Sequence, residues 1–297
     1  MRIYSLSEND NDFLGIEEDN KFIDLTRAIA LYEASQSNYT EEPVDTIEQL
    51  IFNEIFITGY LGNILEFISK HSLSEDLAIS DDYSVNPPLY PGKIIALGNN
   101  YRKHIEEMNQ KLPEKPVLFG KWPSTVIGHG DAIVKPSWIG SMSYEAELAF
   151  IIGKPAKNVS ASEAMNYIAG YTCLNDITAR DIQRHDLPAG LPWMPSKNFD
   201  TFTPMGPCVL LAEMVKDPVE IDVKSTVNGE LRQNGNTRDF IFDIPTVLEY
   251  ISKIMTLEPG DVVTTGTPEG VGAIEPGDVV EITCGGIGTL SNHVTAD

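Results

Sequence analysis

The apolar positions of this chain fall mostly in short bursts rich in Val, Ile and Leu, closed off by Gly, Pro, Asn or Asp, a strand-like pattern. Such bursts occur at Arg2–Leu6 and Phe22–Leu25. They recur at Lys93–Leu97, Ala132–Val134, Glu147–Ile152, Tyr171–Leu174, Cys208–Leu211 and Glu220–Val227. Spacing of three and four, which marks one face of a helix, predicts helices near Thr46–Phe52, Tyr60–Ile68, Tyr101–Met108, Ala161–Tyr167, Ala179–Gln183 and Ile244–Ile254. The turn-rich stretch Asn86–Gly92 reads as a boundary. It divides a small α+β N-terminal domain, residues 1–90, from a β-rich main domain, residues 91–297. The order of elements suits a β-roll or β-sandwich with peripheral helices better than alternating βαβ units. Leu257–Val263 and Ile274–Val280 share the sequence Glu-Pro-Gly-Asp-Val-Val, which we read as one turn used twice rather than as a duplicated domain.

Charge narrows the function. The net charge is -23, and it is uneven: residues 1–90 hold 18 acidic and 4 basic side chains, a net of -14, and the remainder is -9. A nucleic-acid partner would need a basic stripe to displace counterions from phosphates, so none is expected. The opening lacks an apolar signal region, and no apolar run approaches the ~18 residues that span a bilayer. Cys173, Cys208 and Cys284 are odd in number and form no CxxC unit, which argues against disulfides and zinc and for a reducing cytoplasm. An acidic chain also repels small anions, so a carboxylate substrate would require a local reversal of the field by a metal ion or a few Lys or Arg residues.

Four groups of residues could supply chemistry. In Tyr144-Glu-Ala-Glu147 the two carboxylates, two apart on a strand, would project to one side and repel unless a cation lies between them; Mg2+, Mn2+ or Ca2+ would suit. A solvated strand end is the plainer explanation. Asp176, after the strand-like Gly170–Leu174, could be a third ligand or simply a helix cap, with Arg180 and Gln183 a turn beyond. His104 and Glu107 share a helix face, so the carboxylate could orient the imidazole as a base, although a surface His–Glu pair is commoner. Lys121 and Lys197 sit in loops with Pro, Trp and Phe, where a purely solubilising lysine would be odd. Thr267, in Thr265-Gly-Thr-Pro-Glu-Gly, could offer its hydroxyl and nearby N–H groups to an anion.

In order along the chain these pieces resemble the fumarylacetoacetate hydrolase family. They are Asn100-Tyr-x-x-His104-x-x-Glu107, Phe119-x-Lys121-x-Pro-Ser124, Tyr144-Glu-x-Glu-Leu148, Gly170-Tyr-x-x-x-Asn-Asp176, Ala179-Arg-Asp-x-Gln183, Lys197-x-Phe-Asp-Thr-Phe202 and Thr265-Gly-Thr-Pro-x-Gly-Val-Gly272. The resemblance spans residues 93 to about 294, with the first 90 resembling the variable extra domain of bacterial members. Small departures are Ser143, where an acid often precedes the Tyr-Glu, and Asn198, where Ser often follows the Lys.

The resemblance implies a mixed β-sandwich roll, a homodimer, and Mg2+ held by Glu145, Glu147 and Asp176. It implies that His104, paired with Glu107, is the base, on a segment that closes over substrate. Lys197 would join them as a catalytic residue, and Gln183, Lys121, Arg180 and Thr267 would bind substrate. The chemistry implied is metal-dependent hydrolysis of a C–C bond in a 2,4-dioxo acid through a stabilised enolate. An oxaloacetate-type decarboxylase or a hydroxydienoate isomerase would use the same enolate. A non-catalytic metal-binding protein is the remaining rival.

Overall fold

In a computed structural model the described residues are 1–9, 11–18, 21–37, 42–80, 82–107, 109 and 111–297. The predicted helix end at Met108 lies outside them. Two sheets dominate. The larger runs in the order Lys21–Asp24, Asn11–Glu18, Arg2–Glu8, Thr203–Leu211, Ile168–Asn175, Ala146–Ile152, Val262–Thr264, Ile94–Gly98 and Val117–Lys121. The second orders Glu230–Asn236, Asp222–Val227, Val279–Cys284, Gly288–Ala296 and Ala132–Lys135. The architecture is the expected sheet-dominated one with a few peripheral helices. Among the described residues, no helix is long and apolar enough to cross a membrane.

Strand Ala146–Ile152 explains how the large sheet is held. All seven of its residues are buried, which requires cover on both faces. Ala146, Leu148, Phe150 and Ile152 enter a core shared with the second sheet and with helix Ile244–Ile254. Ala149 and Ile151 point the other way, into a core with Leu61, Ile64 and Ile68 of helix Thr58–His71. The N-terminal segment joins the same sheet directly, with Ile3 opposite Val209.

The structure adds elements that the pattern hid. Helix Leu25–Ser35 begins one residue after a strand, with Asp24 as its N-cap accepting from the Arg27 N–H, so the change of period falls inside one apolar run. Strand Glu230–Asn236 is polar, but the Asn228-Gly229 turn before it, both residues at positive φ, is a hairpin signal. Ala161–Tyr167 is a 3-10 helix. The repeated Glu-Pro-Gly-Asp sequence is one turn used twice. Asp261 and Asp278 each accept from the N–H three residues back, at 2.7 and 2.8 Å, beside Gly260 and Gly277 at positive φ.

Candidate active site

Antiparallel pairing assembles the acidic cluster. Ala146 lies opposite Asn175, so the residue before one strand and the residue after its neighbour emerge at the same end of the sheet. The Asp176 N–H donates to the Glu145 carbonyl at 2.9 Å, and the Glu145 N–H to Asn175 Oδ1 at 3.0 Å. One carboxylate oxygen from each of Glu145, Glu147 and Asp176 lies within 4.8 Å of the other two, and all three residues are buried.

Three buried cations surround them. Lys197 Nζ bridges Glu145 Oε2 at 2.8 Å and Asp176 Oδ2 at 2.5 Å. Arg180 pairs with Glu145 Oε1, donates from Nε to Ser143 Oγ at 2.7 Å, and donates from Nη1 to Gln183 Oε1 at 2.5 Å. Lys121 Nζ donates to Asp176 Oδ1 at 2.6 Å and to the carbonyls of Lys197 and Phe202 at 2.8 and 3.1 Å. Those three bonds use every proton of the ammonium, so Lys121 holds Asp176 and the Lys197 backbone from behind.

The charges are unevenly matched. Burial alone would raise the Glu145 carboxyl, but Lys197 and Arg180 outweigh it and hold its pKa down to about 2. Glu147 differs. Among the described residues it has no ion pair; it accepts from the Gly266 N–H at 3.0 Å, and burial reinforced by Asp176 and Glu145 pushes its pKa well up against the weaker opposing pull of Thr264 and Lys197. A buried carboxyl in that setting, with two others in reach, lacks a cation. The oxygen donors suit a hard divalent ion such as Mg2+ or Mn2+, so the residues fit a metal.

The cluster opens into a cavity of about 40 Å3, whose wall includes His104, Glu145, Glu147, Arg180, Gln183, Lys197 and Thr267. Leu97, Gly98, Phe119, Leu187 and Trp193 add apolar surface, and Lys197 Nζ stands 5.3 Å from the centre of the Phe119 ring. His104, on helix Arg102–Glu107, is 7% exposed. Its Nδ1 is buried without a hydrogen bond, 3.6 Å from Glu107 Oε2, which instead accepts from the Gly270 N–H at 3.2 Å. Burial lowers the His104 pKa; Glu145 and Glu107 pull it up and Arg180 down, leaving it below the ordinary value.

Most of the expected site residues therefore meet at one cavity. Asp176, Lys121 and Glu107 stand just behind its wall. Leu187 and Trp193 carry no sequence signal beyond two large apolar residues in the Leu187–Trp193 loop. Ser143 and Asn198, the two departures, are both employed: Ser143 receives Arg180, and Asn198 Oδ1 accepts from the Trp122 N–H at 2.6 Å.

Comparison with known proteins places this geometry. The family described as Fumarylacetoacetate (FAA) hydrolase C-terminal matches residues 93–295. The chain belongs to that family. Among curated relatives, the Bacillus subtilis oxaloacetate tautomerase YisK is 37% identical over 297 residues, covering 95% of this chain and 96% of YisK. Among solved structures, the fumarylacetoacetate hydrolase of Exiguobacterium antarcticum superposes with a TM-score of 0.80 at 31% identity, over 100% of both chains. Maleylpyruvate hydrolase from Sphingobium sp. SYK-6, solved with manganese(II) and pyruvate, gives a TM-score of 0.75 at 30% identity, covering 100% of this chain and 99% of that one. Members of the family are enzymes of more than one reaction type.

Proposed function

We propose that this chain is a divalent-metal enzyme that enolises a short 2-oxo dicarboxylate of the oxaloacetate type. The observation that carries the reading is a buried imidazole that lines the same small cavity, about 40 Å3, as Glu145 and Glu147 of the three-carboxylate cluster. Glu145, Glu147 and Asp176 would hold Mg2+ or Mn2+, which supplies Lewis-acid stabilisation of negative charge on the substrate oxygens. The three carboxylates and the cations of Lys121, Lys197 and Arg180 cancel. A divalent ion then leaves +2, which a dianion offsets, and this meets the need for a local reversal of field in a chain of net -23.

The side chains divide the work. Lys197 keeps one ammonium proton and Gln183 its amide N–H groups for the substrate, since their other capacity is used within the site. Arg180 and Gln183 would receive a carboxylate. His104, neutral because it is buried, would take the proton from C3 and, as imidazolium, deliver it to the C2 enolate oxygen to give the enol, the reverse transfers giving the keto form, with Glu107 close enough to stabilise the imidazolium. Thr267 completes the pocket, and Lys121 holds Asp176 in place.

Hydrolysis of a 2,4-dioxo acid is the second reading, favoured by the two hydrolase structures reported above. There His104 would deprotonate a water attacking the distal carbonyl, and the longer acyl chain would require the His104 segment to move outward. We further propose a cytoplasmic homodimer in which residues 1–90 are an accessory unit.

The test is to load the protein with Mn2+ and follow enol decay of oxaloacetate, CO2 release from oxaloacetate and pyruvate release from acylpyruvates. Fastest turnover in the enol assay is expected. Faster acylpyruvate cleavage would move the assignment to hydrolysis. Metal binding without turnover of any 2-oxo acid would leave only a structural metal site.

A further inference from the structure

The strand that follows Glu145 keeps its ladder to Ala146 on one edge but loses it earlier on the other. Strand Val262–Thr264 pairs with strand Ala146–Ile152 only as far as Ala149 opposite Thr264. Beyond that point one more backbone bond, from the Thr265 N–H to the Leu148 carbonyl at 3.1 Å, extends this edge, and towards Glu147 and Glu145 side chains take over. Thr265 Oγ1 donates to the Leu148 carbonyl at 2.7 Å and Thr267 Oγ1 to the Ala146 carbonyl at 2.9 Å. The Ala146 N–H, lying between the two ligand glutamates, donates to Gln233 Oε1 at 3.0 Å.

Gln233 is fully buried, and its amide is fully occupied. Oε1 also accepts from Ser225 Oγ at 3.0 Å, while Nε2 donates to Thr267 Oγ1 and to the Pro268 carbonyl, both at 2.8 Å. Chemistry fixes the orientation of this amide, because a backbone N–H can meet only its oxygen and a backbone carbonyl only its nitrogen. Thr267 in turn receives Gln233 and donates to Ala146, so its one proton is committed to holding the strand.

The backbone explains why the side chain reaches this spot. The register of strand Glu230–Asn236 against Asp222–Val227 shifts between Ser225 and Thr226, leaving Arg232 unpaired and re-aiming its neighbours. The Thr265–Gly272 loop lies directly on this bulge. A Cβ on Gly235 would come within 2.6 Å of Pro268 Cβ, and one on Gly270 would strike the Arg232 carbonyl.

We propose that Gln233 is a positioning residue for the metal centre, locking the peptide between Glu145 and Glu147 to the Thr267–Pro268 turn so that both carboxylates meet one ion. This rests on the metal reading of the triad. Partners one step behind the ligands set affinity, and their loss costs about 10- to 100-fold.

The experiment is Mn2+ titration by calorimetry of wild type, Gln233→Met and Thr267→Val, with thermal melts of each metal-free protein. Gln233→Met keeps length and removes all four bonds; Thr267→Val removes only the relay hydroxyl, with a smaller disturbance to folding. A Mn2+ Kd weaker by about 10- to 100-fold in folded Gln233→Met, with a smaller loss in Thr267→Val, is expected. A role confined to fold stability would lower the melting temperature and leave Kd unchanged, which overturns the proposal. Should Gln233→Met not fold, Thr267→Val decides: a wild-type Kd there overturns it, and a weaker one supports it. Failure of wild type to bind Mn2+ would instead sink the metal site itself.

Discussion

His104 is held neutral by its surroundings, and that fixes the sign of its pH dependence. Burial, the largest influence, lowers its pKa, so the basic imidazole persists below the ordinary histidine value of about 6.5. Activity that needs the neutral ring is present above the folded pKa and lost as pH falls through it. The acid limb of kcat/KM should therefore lie below pH ~6.5. Glu107 raises that pKa, so Glu107→Gln should move the limb further down. A limb above 6.5, or one unmoved by Glu107→Gln, would remove His104 from the role of base. His104→Ala should lower kcat by about 10²- to 10⁴-fold while leaving Mn2+ affinity near wild type, since the imidazole is not a ligand. The carboxylates and the histidine stood out in sequence only as members of an ordered set of motifs, because singly a strand-end Glu-x-Glu, an Asp after a strand and a His–Glu pair on a helix have plainer explanations. Gln233 did not, because besides Ser225 on the paired hairpin strand its partners come from two remote stretches, Ala146 and Thr267–Pro268, that only the fold brings together.

At the scale of elements, the repeated Glu-Pro-Gly-Asp turn is a natural control, since the same local sequence sits in two environments. Asp261 is 2% exposed and also accepts from the Lys93 N–H at 3.0 Å and pairs with Lys93 Nζ at 2.6 Å. Asp278 is less buried and adds only a bond from Asn228 Nδ2 at 2.8 Å. Asp261→Ala should cost about 2–3 kcal/mol and Asp278→Ala about 1, measured by denaturant unfolding. Equal losses would mean that the turn alone sets stability. The apolar wall of the cavity is equally specific. Gly98 faces Trp193 so closely that a Cβ would overlap the indole ring. Gly98→Ala should displace Trp193 and raise KM severalfold with little change in Mn2+ Kd; an unchanged KM would show that the indole does not shape the pocket. Strand positions were readable from β-branched bursts. The Leu25–Ser35 helix was not, because its cap doubles as the end of a strand.

The whole molecule couples the acidic N-terminal segment to the strands that bear the carboxylate cluster through one core. Ala149, Ile151 and Leu174 share that core with Leu61, Ile64 and Ile68, and alternation puts Glu147 on the same face as Ala149 and Ile151, at the strand's opening end. The segment's pattern showed the Ile47–Phe52 and Thr58–His71 helices but not their docking, because each apolar stripe reads alike whichever sheet it covers. Removing residues 1–90 would uncover Val209 and Leu211 along with the edge that pairs with Arg2–Glu8. Exposed apolar surface beside an unpaired strand edge favours association. A 91–297 fragment should therefore aggregate or melt well below the full chain, as judged by light scattering and calorimetry. Where soluble, it should bind Mn2+ more weakly, because the strands carrying Glu147 and Asp176 lose the packing beneath them. A monodisperse fragment with wild-type melting and Mn2+ affinity would show that the two parts are energetically independent, and the accessory unit would then have to act through the substrate or a partner rather than through the sheet.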